Sequence, residues 1–259
     1  MSSWLALGGR FLIHWLKAVD EHSLQAPFIY EFYTEVVKNR RFNQSHAAVQ
    51  ALRNSLNSDQ TIVQFDDLGA GSQVMGKSTI GRIAKTSHQP KVANLLYSIA
   101  NRFKPSSVLE LGTSLGLTTL NMAASAPDAR IFTLEGSHEL SNLAIKHFEQ
   151  LGAKNIHVLV GNIDFTLDQV LDRMEGIDLL FMDANHHYQA TMEYFNKCLP
   201  KFHENTIVVV DDIHWSGSME KAWKHIINHP SISLSIDFFY AGVLFLRPEL
   251  TKSHYILSL

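Results

Sequence analysis

Three aspartates and a histidine in the second half of the chain have the types and spacing needed for acid–base or metal chemistry. Asp183 and His186 follow one short apolar run, and the adjacent pair Asp211 and Asp212 follows another. Carboxylates gathered in a dry cleft repel one another unless a cation neutralises them. Oxygen-only ligation suits Mg²⁺, Mn²⁺ or Ca²⁺ better than zinc. The pattern predicts a divalent metal site, with the alternative that some of these aspartates only cap the helices that follow.

Such a cluster requires a fold that brings the ends of separate strands together. From residue 105 onward, short apolar runs alternate with helical segments at a spacing of about two dozen residues. The runs are Val108–Leu111, Ile131–Leu134, Ile156–Val160, Ile177–Met182 and Ile207–Val210. This alternation is typical of an α/β fold with a doubly wound parallel sheet, which binds ligands at the carboxyl edge of its strands. The three aspartates are therefore expected to meet at that edge.

The two ends of the chain depart from this rhythm. The runs Ile232–Tyr240 and Gly242–Leu246 are separated by a short turn, which predicts a closing antiparallel hairpin. Residues 1–104 predict an N-terminal helical extension, in which the polar stretch 66–89 forms a loop that acts as a lid. Residues 105–259 form the main domain. The extension is expected to cover the acceptor pocket or to form a homodimer contact.

A glycine-containing turn after the first apolar run is the candidate cofactor site. Residues 108–119 read Val-Leu-Glu-Leu-Gly-Thr-Ser-Leu-Gly-Leu-Thr-Thr, with Glu110 on the strand and Gly112 and Gly116 at the turn into a helix. Glycine lets a ligand approach the backbone amides at a helix N-terminus. The dinucleotide fingerprint needs glycine where Ser114 stands. Glu-x-Gly-x-x-x-Gly instead resembles motif I of the class I S-adenosylmethionine-dependent methyltransferases.

That resemblance implies a Rossmann-like, doubly wound sheet of seven strands and a set of cofactor contacts. Glu135, at the end of the second strand, can accept hydrogen bonds from both ribose hydroxyls. Asn162, after the third strand, would face the adenine amino group. The full set for S-adenosyl-L-methionine is Glu110, Gly112, Thr113, Ser114, Gly116, Glu135, Gly136, Asn162 and Asp183.

Over residues 105–248 the chain further resembles the metal-dependent O-methyltransferases of the catechol, caffeoyl-coenzyme A and macrolide-sugar types. Asp183-Ala-Asn-His186 matches the Asp-x-x-His step of the macrolide-sugar group. By that resemblance Asp183, Asp211 and Asp212 would hold a divalent cation such as Mg²⁺, although better-known members have asparagine at the position of Asp212. His186 would take the proton from a small-molecule hydroxyl, a role that suits imidazole near neutral pH. His186 and Asp183 are the candidate catalytic residues.

Two other functions remain open. Gly71-Ser-Gln-Val-Met-Gly76-Lys77-Ser78 fits the P-loop pattern, so a nucleoside triphosphatase is the alternative enzyme. A P-loop should follow a buried strand directly, whereas Asp66-Asp67-Leu68-Gly69-Ala70 precedes Gly71. The other alternative is a methyltransferase-like domain that binds the cofactor without catalysis. The aspartates and His186 argue against it, because a binding module does not need them.

Composition narrows the range of partners and compartments. The 259 residues carry a net charge of -3, and the longest basic run is Arg40-Arg41, so nucleic acid is not an expected partner. Arg10, His14 and Lys17 interrupt the apolar N-terminus before it reaches the length that a bilayer requires. A secretory signal pattern is also missing. We expect a cytoplasmic enzyme with no membrane partner.

Overall fold

The structure, a computed structural model, describes residues 2–38, 41–67, 74–86 and 90–259. The N-terminal extension is largely helical, as predicted. Its helices are α1 (Ser2–Lys17), α2 (Pro27–Phe32), α3 (Gln44–Leu56), α4 (Ile80–Thr86) and α5 (Pro90–Phe103), and a π-helical turn over Tyr33–Lys38 continues α2. Two short strands, β1 (Ile62–Asp67) and β2 (Val74–Thr79), pair antiparallel between α3 and α4.

The β1–β2 pair corrects two interpretations of the sequence. The prediction of a loop over 66–89 is wrong for residues 74–86, because these form β2 and α4. The P-loop hypothesis is wrong as well, since Gly76, Lys77 and Ser78 lie within β2 and pair with β1, with Lys77 opposite Gln64. A phosphate loop would present that lysine at a helix N-terminus after a buried strand. Gly71 itself lies outside the described residues.

Eight strands form the central sheet. They are β3 (Ser107–Leu111), β4 (Arg130–Glu135), β5 (Ile156–Val160), β6 (Leu179–Met182), β7 (Ile207–Asp211), β8 (Leu234–Asp237), β9 (Ala241–Phe245) and β10 (Ser253–Ile256). Their order is β10-β8-β9-β7-β6-β3-β4-β5. The strands β3 to β7 are mutually parallel, and β9 runs antiparallel to both β7 and β8. The predicted α/β fold and its closing hairpin are confirmed.

The sheet has one strand more than the seven predicted. The additional strand, β10, pairs parallel with β8 at the edge of the sheet. It was not predicted because its sequence, Ser-His-Tyr-Ile, is short and is not an apolar run. Strands buried on both faces read as continuous apolar stretches, whereas an edge strand need not.

Helices cover both faces of the sheet. After the extension they are α6 (Leu117–Ser125), α7 (His138–Gln150), α8 (Ile163–Leu171), α9 (Tyr188–Cys198) and α10 (Gly217–Ile227). Adjacent residues of β3 point to opposite cores: Val108 belongs to a cluster with Leu96 of α5, and Leu109 to a cluster with Phe195 of α9. This two-sided burial fixes the register of the strands and thus holds their carboxyl ends level at one edge.

None of the helices in the described parts of the chain combines the length and the apolar character needed to cross a bilayer.

Candidate active site

The turn between β3 and α6 has an unusual backbone. Gly112, Ser114 and Gly116 all have left-handed conformations, with φ of 100°, 49° and 76°. A Cβ atom on Gly112 would lie 2.2 Å from the carbonyl oxygen of Asp183, and one on Gly116 would lie 2.4 Å from the ring of Phe148. Both glycines are therefore required by contacts within the protein. The contact at Gly112 places the candidate cofactor turn directly against the loop after β6.

Glu135 ties this turn to the end of β4. The backbone N–H of Ser114 donates to Glu135 Oε2 at 2.7 Å, and the N–H of Ser137 donates to Oε1 at 3.0 Å. Thr113 and Thr133 share a hydrogen bond of 2.6 Å between their hydroxyls. Thr113, Ser114, Glu135 and Gly136, which were predicted separately as cofactor residues, thus form one continuous wall. The side chain of Glu135 is only half-buried, and each carboxylate oxygen has two lone pairs, so the group is suited to accept hydrogen bonds from ribose hydroxyls.

Two other predicted cofactor residues have contacts of their own within the fold. Glu110 is fully buried, and its Oε2 accepts hydrogen bonds from Thr133 Oγ1 at 2.6 Å and from Thr119 Oγ1. Asn162 caps α8, because its Oδ1 accepts from the N–H of Asp164 at 2.9 Å. Their contacts with a cofactor stay predictions.

The predicted aspartates lie at the carboxyl ends of β6 and β7, which are neighbouring parallel strands. The side chain of Asp183 is 7% exposed. Burial raises the pKa of Asp183 well above its ordinary value, and the nearby carboxylate of Asp212 raises it further. A side-chain hydrogen bond with Asp211 acts in the opposite direction. The sheet therefore brings all three aspartates together, as expected from the topology.

His186 lies beside this cluster. Its Nε2 is 3.5 Å from Asp183 Oδ1, and its side chain is 34% exposed. Asn185, with φ of 62°, turns the chain between the two residues. A separation of 3.5 Å is long for a direct hydrogen bond, but catalytic contacts often tighten only when substrate binds. The imidazole can thus reach both the buried carboxylate and a molecule entering from solvent.

The three carboxylates offer the type of ligand atom that a divalent cation prefers, but their geometry is less suited to binding one. Oxygen donors in a buried cluster favour a hard cation. The pKa of Asp183 is raised first by burial and then by the carboxylate of Asp212, and a cation would relieve the second of these effects. However, within the described ranges no three His, Cys, Asp or Glu side chains are arranged so that they could hold a metal ion. The predicted ligands therefore lie close together without forming a preformed metal-binding site.

Sequence reasoning missed one polar residue at this edge, Asp237, which ends β8 and is 4% exposed. Its carboxylate contacts His214, a residue in the loop after β7. The strand β8 runs parallel to β7, because β9 is antiparallel to both. The carboxyl end of β8, and with it Asp237, therefore lies at the same edge of the sheet as Asp183 and Asp211. The signal was hidden because the predicted strand Ile232–Tyr240 placed Asp237 in its interior rather than at its end.

Comparisons with known proteins agree with this geometry. The model of a family described as a methyltransferase domain matches residues 109–213, which run from β3 to the turn after β7. A catechol O-methyltransferase from Niastella koreensis is 26% identical over 165 residues, covering 62% of this chain and 72% of that protein.

Solved structures extend the likeness to most of the chain. The S-adenosylhomocysteine-bound methyltransferase PaMTH1 of Podospora anserina has a TM-score of 0.61 at 16% identity, covering 86% of this chain and 98% of that one. The O-methyltransferase TomG of Streptomyces achromogenes, solved with S-adenosylmethionine, has a TM-score of 0.56 at 16% identity, covering 83% and 94%. Likeness at this identity establishes the fold.

Proposed function

We propose that this chain, a class I, S-adenosylmethionine-dependent O-methyltransferase, methylates a hydroxyl group of a small molecule. One observation carries the proposal. The contact between Gly112 and the carbonyl oxygen of Asp183 joins the turn beside Glu135 to the loop that bears Asp183 and His186. A cofactor bound on that turn would thus hold its reactive group next to a candidate base.

The cofactor would lie along the wall formed by the β3–α6 turn and the end of β4. The β3–α6 turn and the carboxylate of Glu135 would bind the polar parts of S-adenosylmethionine, and Asn162 would lie at the adenine end. Glycine at 112 and 116 keeps the turn close to its neighbours, which gives the ligand a rigid wall. Rigid walls favour transfer because the reacting atoms are held in line.

His186 would receive the proton of the acceptor hydroxyl. As the O–H bond breaks, the oxygen attacks the methyl carbon, the carbon–sulfur bond breaks, and the bond electrons remain on sulfur. The products are a methyl ether, S-adenosylhomocysteine and a protonated His186. Asp183 would stabilise that imidazolium, since its Oδ1 lies 3.5 Å from the imidazole Nε2. General-base assistance of this kind contributes roughly 10²- to 10⁴-fold to a rate.

We also propose that Asp183, Asp211 and Asp212 bind a divalent cation such as Mg²⁺. The support is electrostatic, because the carboxylate of Asp212 raises the pKa of the buried Asp183. A bound cation would favour the deprotonated form of the acceptor hydroxyl. The alternative is a proton shared between Asp183 and Asp211, which are already linked by a hydrogen bond.

Calorimetric titration of S-adenosylhomocysteine into the protein tests the proposal, with ATP titrated in parallel. Binding of S-adenosylhomocysteine that weakens in a Glu135→Gln variant, with ATP silent, supports the methyltransferase function. A protein that binds ATP and not S-adenosylhomocysteine contradicts it. Asp168→Asn, a change at a side chain that is 60% exposed and paired with Lys197, is the matched control.

Turnover assays on catechol and other small hydroxyl compounds then test the chemistry, with release of S-adenosylhomocysteine as the readout. Turnover that is lost in EDTA and restored by Mg²⁺ supports the cation. Turnover that EDTA leaves unchanged contradicts the cation and favours the shared proton, while the methyl transfer itself stands.

A further inference from the structure

A closed ring of polar contacts joins α1 to the loop after β7. His14 Nε2 lies 3.0 Å from Asp237 Oδ1, and His214 Nε2 lies 2.8 Å from Oδ2 of the same carboxylate. On its other side, His214 Nδ1 lies 3.0 Å from Glu220 Oε1, and Arg10 Nε lies 3.1 Å from Glu220 Oε2. Arg10 and His14 are one turn apart on α1, so the ring closes. We call these five residues the α1 clasp.

The clasp is internally satisfied and partly buried. The side chains of His14 and Asp237 are 7% and 5% exposed. Both ring nitrogens of His214 face carboxylate oxygens, which only accept, so His214 donates from both. Arg10 and His214 then balance the charges of Glu220 and Asp237. A satisfied network in a poorly solvated place holds one geometry, and removing one member leaves a costly unpaired group.

Aromatic contacts reinforce the same connection. The ring of Phe239 stacks on that of His214, with centroids 5.1 Å apart and planes inclined by 16°. Phe11 of α1 meets Phe239 edge-on at 5.0 Å. The backbone N–H of Phe239, which has a left-handed φ of 71°, donates to Asp237 Oδ1 at 2.8 Å. The β8–β9 turn is thus held by the same carboxylate that receives α1.

The clasp borders the turn that carries Asp212. The N–H of Asp212 donates to the carbonyl oxygen of Tyr240 at 2.6 Å, and the N–H of Trp215 donates to the carbonyl oxygen of Asp212 at 2.9 Å. Asp212 has a left-handed φ of 53°. A non-glycine residue in this conformation persists only where its surroundings enforce it. His214 lies between Asp212 and Trp215 in the chain, so the clasp holds the middle of the turn through this side chain.

We propose that α1 is a positioning element of the active site, which acts through His14, Asp237 and His214 to fix the turn Asp212–Trp215. His14 is then a positioning residue, distant in sequence from the residues whose orientation it sets. The cofactor turn is held separately, by Glu135 and by the loop after β6. The effect on acceptor binding rests on the proposed function, whereas the coupling between α1 and the turn does not.

Hydrogen exchange in the full-length protein tests the coupling directly. In a His14→Ala variant, the amides of Asp212 and Trp215 are expected to exchange at least about tenfold faster, because the turn opens more often. The amides of residues 112–116 should be unchanged, and the affinity for S-adenosylhomocysteine should stay within about twofold of wild type. If the hydroxyl compounds above are methylated, the acceptor KM should rise with a smaller change in kcat.

Two variants separate positioning from a general loss of stability. Leu16→Ala alters the same helix at a side chain that is 69% exposed, and it should leave the exchange of both amides unchanged. His14→Gln keeps a side-chain N–H donor and should restore much of the protection. If His14→Ala fails to fold, Arg10→Gln removes the more exposed end of the clasp and should give a smaller change in the same direction.

Wild-type rates at Asp212 and Trp215 in folded His14→Ala and Arg10→Gln variants would overturn the proposal. Acceleration spread evenly over the whole chain would also overturn it, because it indicates only a less stable fold. A wild-type protein that binds no S-adenosylhomocysteine would reject the proposed function and still leave the exchange comparison readable.

Discussion

Two aspartates flank the four-residue strand β6, and each lies beside a histidine, but the rest of their surroundings differs. Asp178 lies at the amino end of the strand. Its Oδ2 accepts from the N–H of Ser106 at 2.7 Å, the hydroxyl of Ser106 at 2.6 Å and the N–H of Ser107 at 2.9 Å. Its Oδ1 lies 3.0 Å from His203 Nε2. Burial alone would raise the pKa of Asp178, but these hydrogen bonds outweigh it and the pKa is lowered.

Asp183, at the carboxyl end of the same strand, has the opposite balance. Burial and the carboxylate of Asp212 raise its pKa well above the ordinary value. At the amino edge the sheet surrounds a charge with donors, and the charge stabilises the fold. At the carboxyl edge the sheet crowds carboxylates together, and the ionised form is unfavourable. Strongly perturbed groups in a cleft are typical of functional sites, so the difference separates a structural carboxylate from a chemical one.

Replacing Asp183 should therefore affect activity and stability in different directions. In Asp183→Asn, methyl transfer should fall by about 10³-fold, because an amide cannot become the charged partner that stabilises a protonated His186. The amide can donate to Asp211 and does not carry a charge that burial and Asp212 disfavour, so the melting temperature at neutral pH should stay the same or rise. Turnover and thermal unfolding of the same preparation measure both effects. An Asp183→Asn variant that is active, or that is strongly destabilised, would remove the contrast with Asp178.

Gly112 tests whether the two sides of the active site depend on each other. Gly112→Ala places a Cβ atom 2.2 Å from the Asp183 carbonyl oxygen, at a φ of 100° that side chains rarely adopt. We expect a loss of about 2–4 kcal/mol in the free energy of unfolding and weaker binding of S-adenosylhomocysteine. Urea unfolding and calorimetry measure these effects. Gly152→Ala also lies at a positive φ but meets no atom within 4 Å, and it separates backbone strain from the clash.

His186 should show a chemical effect without a structural one. In His186→Gln, turnover should fall by about 10²-fold, since the side chain keeps hydrogen-bonding groups but loses the base. The affinity for S-adenosylhomocysteine should stay within roughly twofold, because His186 lies outside the cofactor turn. The adjacent, more exposed His187 is the matched control, and His187→Gln should retain activity. Equal losses in both variants would indicate that the loop, rather than the base at 186, matters.

The sequence predicted the sheet well and the site in part, for physical reasons that differ. The runs that became β3, β4, β6 and β7 are buried on both faces, so they are largely apolar and easy to recognise. Asp183, Asp211 and Asp212 were predictable because they lie at the carboxyl ends of such strands. By contrast, β2 contains Gly76, Lys77 and Ser78, which have low strand propensity, and pairing with β1 overrides it.

The residues that the sequence could not reveal are those whose roles depend on distant partners. Asp237 lies 223 positions from His14, with which it pairs. Neither residue belongs to a spaced pattern. A local pattern also cannot show that Gly112 is needed because the Asp183 carbonyl oxygen fills the space of its missing side chain. Such contacts arise from the tertiary packing of strands far apart in the sequence.

The smallest expected effect concerns how the contribution of Asp178 to the stability of the fold depends on pH. Because its pKa is lowered by folding, its charge stabilises the fold at pH values above the ordinary aspartate value of 3.8, and that contribution is lost as pH falls through the folded pKa. Asp178→Asn should cost about 1–2 kcal/mol at pH 7, leave turnover per folded molecule unchanged, and approach wild type in acid. Ionisation of Asp183 changes the stability with pH in the opposite direction, because its pKa is raised by folding and the wild-type fold therefore gains stability as pH falls from neutrality. Urea unfolding of both asparagine variants across pH 3 to 7 measures this contrast. The differences from wild type in the free energy of unfolding should change with pH in opposite directions for the two variants. Differences that change in parallel would show that the two ends of β6 are electrostatically alike.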